Sequence, residues 1–216
     1  MNLRYDLIVF DWDGTLMDSE AKIERCLSAA AQDVGVAAPR AGTIRHVPVL
    51  GFEEIVQSLY GGEDVHVRTQ LAHHFRLHFL HLDVMEVNLF PDVEQGLVEL
   101  VDKGHVLAVA TGNARQGLAG MLAQTGLERL FTATRCSDEA AAKPDPQMLV
   151  GILTETGIGR QRAVMVGDTV ADLDMAHNAG IDCVAVSYGM HTREQLLAHR
   201  PIACLESFAE VCQWLR

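Results

Sequence analysis

The chain has 216 residues, 49% of them hydrophobic and 21% charged, enough for one large domain or two modest ones with a full core. Its formal net charge of −12 argues against a nucleic-acid partner, which would need a basic face, and leaves a small anion held by local cations as the charged ligand it could take. No apolar run approaches the roughly 20 residues of a membrane helix, so no membrane partner is expected.

Five cysteines (Cys26, Cys136, Cys183, Cys204 and Cys212) are scattered with no C-x-x-C pair, as reduced thiols would be. Residues 1–5 run straight into the first apolar stretch, with no leader-like segment. Both features point to a cytoplasmic protein.

In chain order, residues 7–10 are an apolar run that reads as a short buried strand. It ends in Asp11-Trp12-Asp13-Gly14-Thr15, two acids followed by a tight turn. Trp12, between the acids, reads as a packing residue. From Asp18-Ser19 onward, Ile23, Leu27, Ala30, Ala31 and Val34 recur at helical spacing, stopping at Gly35. A second helix is expected from Phe52 to Leu59 and a third over 65–82. Residues 18–86 therefore read as an all-helical block without a strand signal, inserted into whatever surrounds it.

The pattern then changes. Pro91-Asp92 opens a helix with Val93, Leu97, Leu100 and Val101 on its apolar side. Strands are expected at 106–110, near 130–134, at 163–166 and at 182–187, separated by helices, with a closing helix through Phe208, Val211 and Leu215. Strand–helix alternation predicts an α/β fold, a doubly wound parallel sheet with helices on both faces, built from residues 1–17 and 87–216.

Three strand ends carry polar clusters: Asp11-x-Asp13, Thr111-Gly112-Asn113 and Gly167-Asp168-x-x-x-Asp172. In a parallel sheet these converge on one edge, where such folds bind ligands. Lys143, ahead of Pro144-Asp145-Pro146, heads an intervening helix. The set suits phosphoryl transfer. A carboxylate attacks phosphorus without first losing a proton, and a neighbouring acid protonates the leaving oxygen and later activates water. Asp11 and Asp13 suit these roles, and both lie where Mg²⁺ would bind, with Asp168 as a third ligand. Thr111, Gly112 and Asn113 offer a hydroxyl and amides to the phosphate, and Lys143 supplies positive charge.

These clusters resemble the four motifs of the haloacid dehalogenase superfamily of aspartate-nucleophile phosphotransferases. D-x-D-G-T appears at Asp11–Thr15, the Thr-ended strand at Thr111, Lys-Pro at Lys143-Pro144 and G-D-x-x-x-D at Gly167–Asp172. The resemblance spans essentially the whole chain. It implies Asp11 as nucleophile, Asp13 as acid/base with its carbonyl on Mg²⁺, Thr111 and Lys143 on the phosphate and Asp168 on the metal. It further implies that Asp172 orients the lysine and that residues 18–86 form an α-helical cap.

Within the superfamily the chain is most similar to phosphoglycolate-phosphatase-like hydrolases. That implies a Mg²⁺-dependent phosphatase for a small phosphorylated metabolite, working through an aspartyl phosphate. The same residues would serve a sugar-phosphate mutase or a pyrophosphatase, and a silent phosphometabolite-binding protein is the non-enzymatic alternative. Halide chemistry is disfavoured, because true dehalogenases lack an acid at the Asp13 position. Asp92 stands where relatives often carry Gly.

The remaining signals are weaker. His74 and His78 lie one helical turn apart and read as a solvated face without an acidic partner. Arg45-His46 could reach a substrate's distal group, and Arg115 could approach the phosphate pocket. Asp168-x-x-x-Asp172-x-Asp174 is not an EF-hand, lacking its central Gly and terminal Glu. A monomer and a homodimer both fit the sequence.

Overall fold

A computed structural model describes residues 4–47, 52–83 and 88–216, with the backbone alone at 45 and 46. The centre of the sheet is β1 (Leu7–Phe10), four residues buried without exception. It lies parallel between β4 (Val106–Ala110) and β6 (Ala163–Gly167), with Phe10 opposite Val109 on one side and Val166 on the other. Strand β5 (Phe131–Arg135) lies outside β4, and β7 (Asp182–Val186) and β8 (Ala203–Leu205) extend the other edge. The order is β5-β4-β1-β6-β7-β8, parallel throughout. From β1 the chain winds first one way and then the other, so the switch point lies where β1, β4 and β6 end.

Side chains alternate across the pleat, and a strand covered on both faces is apolar at every position. Ile8 and Phe10 pack toward α4 (Val93–Asp102), α5 (Arg115–Thr125) and α9 (Phe208–Trp214), with the Phe10 and Phe208 rings 5.9 Å apart. Leu7 and Val9 face α6 (Gln147–Thr156), α7 (Val170–Ala179) and α8 (Arg193–Ala198). Each fully buried side chain of this size contributes about 1.5–3 kcal/mol. Trp12 is fully buried edge-on to Phe131, as the packing role expected of it requires.

Between β1 and α4 the chain leaves the sheet. Two-residue strands β2 (Met17–Asp18) and β3 (Asn88–Leu89) pair antiparallel, bringing the entry and exit of the excursion together. Within it, α1 (Glu20–Val34), α2 (Phe52–Tyr60) and α3 (Val65–Leu77) build a separate core from Leu27, Ala30, Ile55, Leu71 and Phe75. The third helix, expected over 65–82, passes into a π-helical turn at His78–Leu82.

The sequence pattern missed several elements. Strands β2 and β3 are too short to show a period. Strand β8 is half-buried at all three positions, and α8 has only six residues. The sheet therefore has six strands where five were expected. Asp92 adopts φ +65°, in the left-handed region that favours glycine. No helix among the described residues is long and apolar enough to cross a membrane. All five cysteines are free thiols.

Candidate active site

The ends of β1, β4 and β6, with Lys143 ahead of α6, bring together Asp11, Asp13, Thr111, Gly112, Asn113, Lys143, Asp168 and Asp172. Asp11 is 2% exposed, Asp13 8%, Asp168 and Asp172 0%. Asp11 Oδ1 accepts from the Trp12 amide at 2.7 Å and meets Lys143 Nζ at 2.7 Å. The same ammonium donates to Asp172 Oδ1 at 2.6 Å. Asp172 is fixed in turn by Thr169, whose hydroxyl and amide donate to Oδ2 at 2.7 and 3.0 Å in the capping box that starts α7.

Asp168 accepts from the Thr15 hydroxyl at 2.9 Å and the Met190 amide at 2.8 Å. Gly14 makes this approach possible: at φ +80°, a Cβ there would lie 2.1 Å from Asp168 Oδ2. Gly189 is confined similarly, since its Cβ would meet the Gly14 carbonyl at 2.3 Å.

Carboxylate oxygens of Asp11, Asp168 and Asp172 lie within 4.8 Å of one another, close enough to share one cation. Asp13, expected to meet the metal through its carbonyl, keeps its side chain outside this group: its Oδ2 accepts from Asn113 Nδ2, and its Oδ1 is buried without a partner. Asn113 also donates from its amide to Thr111 Oγ1 at 3.1 Å, so Thr111, Asn113 and Asp13 form a second chain beside the first.

Burial sets the electrostatics. It drives the Asp11 carboxyl pKa well above its ordinary value, with Asp172 adding to the rise and Lys143 opposing it. Burial and the neighbouring Asp172 push Asp168 up to about 7. Burial also raises Asp13, against the lowering influence of Ser19 and Asn113 beside it. For Lys143, burial works against the charged form, but Asp11 and Asp172 outweigh it and hold the ammonium above the usual lysine range. One ammonium facing three buried carboxylates is an incomplete balance, and a site with excess negative charge calls for a further cation.

Asp11, Asp13, Thr111, Gly112, Asn113 and Lys143 open onto one cavity of about 530 Å³. Its far wall comes from the helical block: Ile23 of α1, Phe52 and Ile55 of α2, Phe75 of α3, and Phe79 and Leu80. Leu80 reaches the sheet layer, 3.1 Å from where a Cβ on Gly117 would stand. His191, 2% exposed, joins the layers a second way: Nδ1 accepts from the Val170 amide at 3.0 Å, and Nε2 donates to the Val47 carbonyl at 3.1 Å.

Several expectations fail or change. Arg115 turns away from the phosphate pocket, bound to Glu139 at 2.6 and 2.8 Å and to Thr134 Oγ1 at 2.7 Å. A cation at a helix N-terminus opposes the helix dipole, and here Glu139, in the turn after β5, captures it. The His74–His78 pair does have an acidic partner: Asp33 Oδ2 lies 3.0 Å from His74 Nδ1 and 2.8 Å from His78 Nε2. The side chains of Arg45 and His46 lie outside the described residues.

Thr15, Thr169, Gly189, Met190 and His191 were not singled out from the sequence. Thr15 lay inside the first motif and Thr169 inside the last, whereas nothing local marks the 189–191 loop.

The sequence pattern of the family described as haloacid dehalogenase-like hydrolase matches residues 8–186, spanning all four motifs. "Probable phosphatase IndB" of Dickeya dadantii is 31% identical over 95% of this chain and 91% of its own length. A phosphoglycolate phosphatase of Mesorhizobium japonicum is also 31% identical, over 94% and 91%. A crystal structure from Haemophilus somnus, titled a predicted phosphoglycolate phosphatase, superposes with a TM-score of 0.88 over 99% of both chains at 21% identity, a likeness of fold. On sequence and architecture together, the chain belongs to the haloacid dehalogenase-like hydrolases.

Proposed function

We propose that this chain, a phosphatase of its family, hydrolyses a small phosphomonoester through an aspartyl phosphate on Asp11, with Mg²⁺ as cofactor. The observation that carries the reading is the convergence of Asp11, Asp13, Thr111 and Lys143 on one cavity. Asp11 Oδ1 is held by Lys143 and the Trp12 amide, which leaves Oδ2 as the oxygen offered to phosphorus. As the Oδ2–phosphorus bond forms and the ester oxygen departs, Asp13 delivers the proton that oxygen needs. Its raised pKa suits an acid, and its free Oδ1 has no competing partner. Asp13 then takes a proton from the water that cleaves the acyl phosphate. Lys143 and the Thr111–Asn113 turn bind the phosphoryl oxygens.

The donor set fits a hard divalent ion: carboxylate oxygens only, closely grouped and short of positive charge. Asp11 and Asp168 would hold it, with Asp172 beside them, and the ion would neutralise charge on the phosphate and keep Asp11 ionised despite burial.

Residues 18–86 act as a cap closing over the cavity. In support, they have their own core and touch the sheet layer at Leu80 and through His191. Closure keeps stray water from the phosphoenzyme.

The test is phosphate release from a panel of esters that starts with phosphoglycolate, the substrate named for several relatives. Release should require Mg²⁺ and stop with chelator. Asp11→Asn should abolish it along with the hydroxylamine-sensitive phosphoenzyme, and Asp13→Ala should slow it by about 10²–10⁴-fold. An Asp11→Asn enzyme with parental turnover would overturn the mechanism.

A further inference from the structure

The cap side of the cavity restricts what the phosphate can be attached to. Phe52, Phe75 and Phe79 line it together, with ring centroids 5.0, 5.6 and 6.4 Å apart in edge-to-face pairs. Such a cluster offers an incoming ring both apolar area and matched quadrupoles. The charges beside these rings are mixed: Arg76 pairs with Glu53 at 2.5 Å and lies 5.4 Å from the Phe52 ring, and the Lys22 ammonium stands 4.8 Å from the Phe79 ring. About 530 Å³ also falls within the roughly 300–1,000 Å³ range of sites for drug-sized ligands, well beyond what a two-carbon ester fills.

Building on the phosphatase reading, we propose that the preferred substrate is a phosphomonoester whose alcohol carries an aromatic or heteroaromatic ring. The ring seats against Phe52, Phe75 and Phe79.

The experiment compares ethyl phosphate, 2-phenylethyl phosphate, a nucleoside 5′-monophosphate and phosphoglycolate with Mg²⁺. The first two are both esters of primary alcohols and differ chiefly in the ring. In kcat/KM, 2-phenylethyl phosphate should exceed ethyl phosphate by about tenfold, equivalent to ~1.4 kcal/mol, mostly through KM. The nucleotide should share the gain, and phosphoglycolate, which has no ring, should not. Phe52→Ala should shrink the phenylethyl-to-ethyl ratio severalfold.

Phosphoglycolate outperforming 2-phenylethyl phosphate would overturn the proposal, as would a phenylethyl-to-ethyl ratio unmoved by Phe52→Ala. Absence of Mg²⁺-dependent release from all four would instead defeat the phosphatase reading beneath it.

Discussion

Replacing Lys143 by Met tests the electrostatic reading of the site, because it removes one charge at nearly constant side-chain volume. The ammonium is 10% exposed and sits 2.7 Å from Asp11 and 2.6 Å from Asp172, with Asp168 in the same cluster. Without it, three buried carboxylates face no positive charge. Breaking a buried pair from one side costs about 3–5 kcal/mol. For a protein of this size each kcal/mol moves Tm by about 2–4 °C, so the loss should be about 6–20 °C in chelator at pH 7.5. Two rescues should follow. Acidification to pH 5.5 should recover much of the loss by protonating the carboxylates. Millimolar Mg²⁺ should do the same, because it binds the native cluster and not the unfolded chain. Turnover should fall by at least about 10²-fold even in Mg²⁺, since the phosphate loses a charged donor. Thermal unfolding by circular dichroism reads the first three effects. A Lys143→Met protein with parental Tm in chelator, or a loss of stability that ignores both pH and Mg²⁺, would refute the account.

The unsubstituted protein carries the same imbalance in milder form. Asp168 titrates near 7 when folded and at about 3.9 when unfolded, so the native state binds its proton more tightly. Stability is therefore lowered above pH 7 and restored as pH falls through 7 toward 4, by something on the order of 4 kcal/mol if Asp168 acted alone. Metal-free Tm should be higher at pH 5.5 than at pH 8, and Mg²⁺ should flatten the difference; a flat metal-free profile would count against it. Gly14→Ala should cost at least ~2 kcal/mol and weaken Mg²⁺ activation, because φ +80° strains the backbone and the new Cβ collides with Asp168; guanidinium melts and Mg²⁺ titrations measure both. Arg115→Met should lower Tm by a few degrees through the lost Glu139 and Thr134 contacts while leaving KM within about twofold, and a large rise in KM would return Arg115 to the phosphate site.

Much of the catalytic edge was legible because its residues sit at sequence-local landmarks. A parallel sheet sends the residue after each apolar run to the same edge, so Asp11, Thr111 and Asp168 could be placed together from strand signals alone. The details that escaped depend on contacts across long stretches of chain. Nothing near Asp13 in the sequence shows that its carboxylate is held by Asn113, a hundred residues away. Asp33 is 41 residues from His74, and helical spacing on one element cannot reveal an acid on another. Met190 and His191 serve Asp168 and Val47 through a loop with no periodicity of its own.

The same distinction explains why reaction class and substrate separate in this fold. The chemistry rests on strand ends, where a one-residue slip in register would move every acid to the wrong face, so the pattern is sharp. The leaving-group pocket rests on the packing of α1, α2 and α3 over that edge, where Phe52, Phe75 and Phe79 are ordinary core-spaced aromatics in the sequence. Only their convergence on the cavity that holds Asp11 gives them a second meaning. The two ends of the cavity then make different demands of a substrate: a phosphate at the strand ends, and a ring at the three phenylalanines.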